Sequence, residues 1–100
     1  MRIEWSLFAM TDREAIFDYI EADSPRAAVM VDDRIETQVE GLMQMPEMGR
    51  EGRVAGTREL VISRTPYIAA YCVEGNIVRI LRVLHGAQQW PEEMSEDSKR

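Results

Sequence analysis

Between Asn76 and Val83 the only charged side chains are Arg79 and Arg82, on opposite faces of an extended chain. A strand this apolar belongs inside a sheet, with both of its faces covered. It runs on to a His85-Gly86 turn and a Trp90-Pro91 stop. Tyr67 to Glu74 is an equally apolar strand, joined to it by Gly75-Asn76, a two-residue hairpin loop of the kind favoured by positive φ. If that loop sets the register, facing residues have numbers that sum to 151. One face then holds Tyr67, Ala69, Tyr71, Val73, Val78, Ile80, Arg82 and Leu84. The other holds Ile68, Ala70, Cys72, Glu74, Ile77, Arg79, Leu81, Val83 and His85.

Upstream, Arg2 to Phe8 alternates, with Ile3, Trp5 and Leu7 on one side, and reads as a first strand. Thr11-Asp12-Arg13-Glu14 fits a capping box; the helix it opens carries Ala15, Ile16, Tyr19 and Ile20 on one face and ends near Ala22. Ser24-Pro25 supplies an N-cap and a first-turn proline. The helix that follows repeats Ala28, Val31, Ile35, Val39 and Leu42 at helical spacing until Pro46 stops it. The short link at Asp23 makes the pair an antiparallel hairpin. Met45 to Thr57 has four Gly or Pro residues and no periodicity, and reads as a loop; Arg58 to Ser63 is the next strand. The expected fold is therefore α+β: strand, antiparallel helical hairpin, then a three-stranded antiparallel meander, in one domain over residues 1–91. Residues 92–100 form a polar tail without an apolar repeat, expected to lack fixed structure. Both meander faces are apolar, and two helices cover only one. The other is expected to stand open, as a groove for a partner.

Composition narrows the classes. One hundred residues with 45% apolar content suffice for one core. Arg2 and Glu4 break any leader-like run at the N-terminus. The longest apolar run, Tyr67 to Val73, has seven residues, far short of the roughly 20 that span a bilayer. With Cys72 and His85 each alone of their kind, the chain closes no disulfide on itself and lacks the usual zinc ligands. A cytoplasmic protein without cofactor or membrane association is expected. The net charge of −6 disfavours binding to phosphate backbones, and no sequence-specific DNA binding by this chain alone is expected. Eleven of the twelve basic residues are arginine, the residue suited to bidentate pairing with carboxylates of an acidic partner.

Five segments carry a resemblance: IFDYI at Ile16–Ile20, SPRAA at Ser24–Ala28, GTREL at Gly56–Leu60, PYIAAY at Pro66–Tyr71 and ILRVLHGAQQWP at Ile80–Pro91. Together they resemble the RelE/ParE toxin superfamily over nearly the whole chain up to Pro91. The resemblance implies the toxin of a type II toxin–antitoxin module, acting in growth inhibition and plasmid stabilisation. It also implies neutralisation by a cognate antitoxin that orders as it wraps the toxin. Exposed methionines (Met43, Met45, Met48 and Met30) would give such a partner an adaptable surface.

Two mechanisms divide the superfamily. RelE-like members cut messenger RNA on the ribosome with clustered basic residues and a His, Glu or Tyr. ParE-like members inhibit DNA gyrase by protein–protein contact, without a recognised catalytic set. At the positions where nuclease members often carry Arg or His-Tyr, this chain has Ile68 and His85-Gly86, followed by Ala87 and Gln88. The ParE-like reading is therefore preferred and no catalytic residue is assigned. The alternative is an endoribonuclease built on His85 and Arg79, and a third reading is a non-toxic remnant that only binds an antitoxin-like partner. Antitoxin or target contact is expected from Arg58, Leu60, Ile62 and Arg64, an Arg-rimmed apolar strip, and from Arg79, Arg82, His85, Gln89 and Trp90, with the loop before Arg58.

Overall fold

The computed structural model describes residues 1–91; the tail expected at 92–100 lies outside the described residues. The elements in chain order are β1 (Arg2–Trp5), α1 (Leu7–Glu21), α2 (Pro25–Glu40), a 3-10 turn (Gly41–Met43), β2 (Arg50–Glu51), β3 (Arg58–Val61), β4 (Tyr67–Glu74) and β5 (Ile77–His85). They form one five-stranded sheet in the order β1-β5-β4-β3-β2. β1 runs parallel to β5 and the other pairings are antiparallel. The α+β architecture is the one expected, and the meander gains β2 from a stretch that reads as loop.

The strand–helix junction differs from expectation. β1 stops at Trp5, and α1 begins at Leu7 rather than after Thr11. Ser6 is the cause: its hydroxyl accepts the Ala9 N–H at 3.0 Å and donates to the Leu81 carbonyl at 2.9 Å. One side chain thus caps the helix and pins it to β5. The Thr11 box falls inside the helix, where its amides already have partners. At the second helix the reading holds, with Ser24 accepting from Ala27 N–H at 3.2 Å and Pro25 in the first turn.

The β4–β5 register also departs from a uniform hairpin. The expected pairing runs from Glu74 opposite Ile77 to Tyr71 opposite Ile80, then shifts by one, so that Ala70 faces Arg82 and Tyr67 faces His85. Leu81 is the extra residue of a β-bulge. Beyond it, Val83 and His85 join the face of Tyr71 and Ile80, and Arg82 and Leu84 turn to the other. The bulge keeps Arg82 out of the core and puts Val83 into it, 2% exposed.

Ala9, Ile35, Val39 and Leu42 of the helical layer pack on Leu60, Ile62, Tyr67, Ala69, Tyr71, Val78, Ile80 and Val83. Burying these side chains is the main source of stability. The second sheet face, expected to stand open, does not. Ile68, Ala70, Leu81 and Leu84 are all buried. Gly86 turns the chain back onto Ile68, so closely that a Cβ there would lie 3.3 Å from Ile68 Cδ1. At the hairpin end the same face is polar, with Arg79 bonded to Glu4 and Glu74. No helix among the described residues is long and apolar enough to cross a membrane.

Candidate contact surface

Strand alternation places Glu59 of β3 opposite Ala70, on the face away from the helices. Its side chain is only 2% exposed, which a carboxylate tolerates only with close counter-charges. Arg50 donates to Oε1 from Nε and Nη2 at 3.2 and 2.9 Å. Arg53 donates to Oε2 from its Nε at 3.0 Å and its backbone N–H at 2.9 Å. Burial works against ionisation of Glu59, but the Arg53 side chain, its backbone amide and Arg50 together outweigh it. The carboxyl is held below the usual carboxylate range.

The loop carrying Arg53 is held by local bonds: Gly52 N–H to Thr57 O at 2.8 Å, and the Thr57 hydroxyl to Val54 O at 2.6 Å. Position 52 has no room for a side chain, since a Cβ would sit 2.2 Å from Thr57 Oγ1. Beyond Glu59, the Arg53 guanidinium lies over the Trp90 ring, 3.7 Å from its centroid. The Trp90 indole N–H donates to the His85 carbonyl at 3.2 Å. Loop and C-terminal segment therefore meet in one surface patch.

His85 anchors the turn between them. Its Nδ1 accepts the Ala87 N–H at 3.0 Å, which in the neutral ring leaves the proton on Nε2. Its backbone N–H donates to Gln88 Oε1 at 3.1 Å, and Tyr67 meets its ring edge-on at 5.6 Å. Gly86 N–H closes onto Pro66 O at 2.8 Å. Gln89 is exposed and Trp90 half-buried.

The other expected contact residues are dispersed. Leu60 and Ile62 are 7% and 0% exposed, inside the helix-covered core, so the strip expected over Arg58–Arg64 is not presented to a partner. Arg58 donates to the Glu47 and Gly49 carbonyls at 3.3 and 2.8 Å and holds the chain before β2. Tyr71 secures the same stretch, its hydroxyl accepting the Gly49 N–H at 2.9 Å and donating to Pro46 O at 2.8 Å. Arg64 is an exposed turn residue at φ 66°. Arg82 makes two bonds to Asp12, whose carboxylate pushes the guanidinium pKa up.

Arg79 and His85 do not share a site. They stand six positions apart on β5, about 20 Å along a strand, and the Leu81 bulge turns them to opposite faces. The two residues of the endoribonuclease alternative are therefore not brought together.

Arg50, Arg53 and Glu59 were not singled out by sequence reasoning. The available signal was Glu59 itself: a carboxylate within an apolar strand requires a cation nearby, and the preceding loop supplies two.

A second surface lies on the helical hairpin. Met10, Arg13, Glu14, Phe17, Asp18 and Asp32 line a groove of about 410 Å³. Met10, Tyr19, Val29 and Met30 are exposed around the helices, as are Met43, Met45 and Met48 beyond them. Charge separates the two surfaces. Residues 7–40 hold nine acidic residues against three arginines, and residues 41–91 hold four against six.

A family model described as the ParE toxin of the type II toxin–antitoxin system parDE matches residues 3–90. The protein Y4kP of Sinorhizobium fredii is 46% identical over 91 residues, covering 91% of this chain and 94% of that protein. Toxin RelE2 of Caulobacter vibrioides is 38% identical over 87 residues, covering 87% and 97%. Among solved structures, a chain of the chromosomal ParDE system from P. aeruginosa superposes with a TM-score of 0.78. It is 33% identical and covers 85% of this chain and 95% of that one.

Proposed function

Because the chain belongs to the ParE toxin family of type II toxin–antitoxin systems, we propose that it is a cytoplasmic inhibitor of DNA gyrase that works by protein–protein contact. The observation that carries this reading is the stacking of Arg53 on Trp90 at 3.7 Å. It joins the loop before Arg58 and the end of β5, the two segments expected to touch the target, into a single surface. Arginine and tryptophan are the residue types that most often dominate binding energy when they sit at a well-packed centre. Arg50 and Arg53 are also 56% and 41% exposed while their shared carboxylate is hidden, so the patch shows positive charge from an acidic protein.

The test is a supercoiling assay with purified gyrase and the purified chain. Loss of supercoiling, or trapped cleaved DNA, is expected at micromolar toxin, with Trp90→Ala weaker. Undisturbed supercoiling at that concentration would remove the gyrase assignment. Message cleavage in a translating extract, abolished by His85→Ala, would establish the endoribonuclease alternative instead.

As a toxin of this kind the chain has an antitoxin partner. We assign that partner to the helical hairpin rather than to the Arg58–Arg64 strip. The hairpin has the exposed apolar groups, and its acidic surroundings favour a segment that sets basic side chains beside apolar ones. Met10→Asp is expected to weaken the antitoxin complex at least tenfold and to leave gyrase inhibition unchanged. The converse result would exchange the two surfaces.

A further inference from the structure

Arg53 touches both Glu59 and Trp90, and it touches them in different ways. Toward Glu59 it offers charge and hydrogen bonds, from the side chain and from its own backbone N–H. Toward Trp90 it offers the flat face of its guanidinium. Trp90 in turn has two attachments, the Arg53 stack and the bond from its indole N–H to the His85 carbonyl. The turn between has its own bonds, from Gly86 N–H to Pro66 O and from Gln88 N–H to His85 O. Arg50 shares Glu59 with Arg53, yet the ring contact belongs to Arg53.

We propose that Glu59, Arg53 and Trp90 form a latch that couples the 50–57 loop to the C-terminal segment, with Arg53 as the residue that positions Trp90. Glu59 is buried and fixed in β3, so it sets where Arg53 lies, and the guanidinium plane then sets where the indole lies. Coupling of this kind is reciprocal: Arg53 steadies Trp90 by the same free energy as Trp90 steadies Arg53. A partner engaging either segment therefore alters the other. The latch stands on the geometry alone; its role in target contact rests on the gyrase reading above.

The lysine variant separates charge from stacking. Arg53→Lys keeps a cation beside Glu59 but has no planar group to lay on the ring. In a Trp5→Phe background Trp90 is the sole tryptophan. There Arg53→Lys and Arg53→Ala are both expected to raise acrylamide quenching of Trp90 about twofold or more. Amide exchange at Gly86 and Gln88 should accelerate with it. Arg50→Ala, which removes the other cation on Glu59, is expected to change neither. In the opposite direction, Trp90→Ala should accelerate exchange at Gly52 and Thr57, with Trp90→Phe between it and the parent. Circular dichroism and the thermal midpoint identify any variant that fails to fold, and the Arg53→Lys and Trp90→Phe pair carries the test in that event.

Unchanged quenching and exchange in Arg53→Lys would overturn the latch, as would unchanged exchange at Gly52 and Thr57 in Trp90→Phe and Trp90→Ala. The functional arm reads separately. If the parent inhibits gyrase, Arg53→Lys should need roughly tenfold more protein for equal inhibition at an unaltered thermal midpoint; equal potency would remove the positioning role and leave the gyrase reading intact. If the parent does not inhibit gyrase, that reading fails while the quenching and exchange results still decide the latch.

Discussion

Asp12 and Arg82, 70 residues apart in the chain, meet in a two-point ion pair at 2.7 and 2.9 Å where β1 has run out. β1 pairs with β5 only as far as Ile80, which leaves the rest of that strand edge without a neighbouring strand. Asp12 fills part of the gap, since its Oδ2 also accepts the Val83 N–H at 2.9 Å. Ser6 fills another part through Leu81 O and its own N–H to Ile80 O. The N-terminal half of α1 thus does for β5 what a longer first strand would do, and protects an edge that would otherwise invite pairing with another chain.

Asp12→Ala should accordingly cost about 2 kcal/mol, because it leaves a partly buried guanidinium and a strand amide without their shared acceptor. Asp12→Asn keeps one acceptor oxygen and should cost about half as much. Urea unfolding checks both: the midpoint should fall in that order, with the slope unchanged if the native fold is kept. Equal midpoints for Asp12→Ala and the parent would show that water replaces the carboxylate at this edge.

Tyr71 is 0% exposed, and its hydroxyl ties two backbone groups of the stretch before β2. Tyr71→Phe retains the ring in the core and strips Gly49 N–H and Pro46 O of a partner, a loss of about 1–3 kcal/mol. Exchange of the Gly49 amide should accelerate more than that of the β4 amides. Position 49 explains why the anchor is specific: a Cβ there would lie 2.5 Å from the hydroxyl oxygen, so Gly49→Ala should displace the same contact.

Much of this architecture is legible in the chain. Ser24-Pro25 marks α2 and Gly75-Asn76 sets the first four pairs of the hairpin, because both signals act over a few residues. Ser6 was missed because half of its role depends on Leu81 O, 75 residues away, while Leu7 and Phe8 prolong the apolar alternation of a strand. The strand ending singles out His85 and Trp90 as candidates for contact. Arg53, which stacks on Trp90, is legible only through the carboxylate of Glu59, since nothing periodic marks the loop that bears it.

Glu59 also makes stability depend on acid. Its folded carboxyl titrates below the ordinary value of 4.5. The proton-linked stabilisation is therefore fully present above the unfolded pKa and is lost as pH falls through the folded one. Glu59→Gln removes that linkage and leaves Arg50 and Arg53 without their anion, costing about 2 kcal/mol near neutrality. Measured from pH 7 downward, the gap between parent and variant should stay constant to about pH 5 and close through the acid range below it. A gap that persists undiminished to the acid limit would mean that Glu59 acts through its shape and hydrogen bonds rather than its charge.

Leu81 offers a sharper test, because the bulge decides which side chains of β5 enter the core. Side chains alternate along a strand, so a full-length β5 paired without the bulge would put Arg82 on the face of Tyr71 and Ile80 and carry Val83 out of the core. Deleting Leu81 takes out the extra residue itself and leaves Ala70 opposite Arg82 and Ala69 opposite Val83, so the faces beyond it are kept. What the deletion removes is a side chain that is 3% exposed and the carbonyl that the Ser6 hydroxyl bonds. Leu81→Ala keeps the bulge and trims the same side chain, and should lower stability by about 2–4 kcal/mol. The deletion is expected to unfold cooperatively in urea at a midpoint below that of Leu81→Ala, because it loses the Ser6 contact as well. Loss of cooperative unfolding in the deletion would show that the bulge is needed for more than its register.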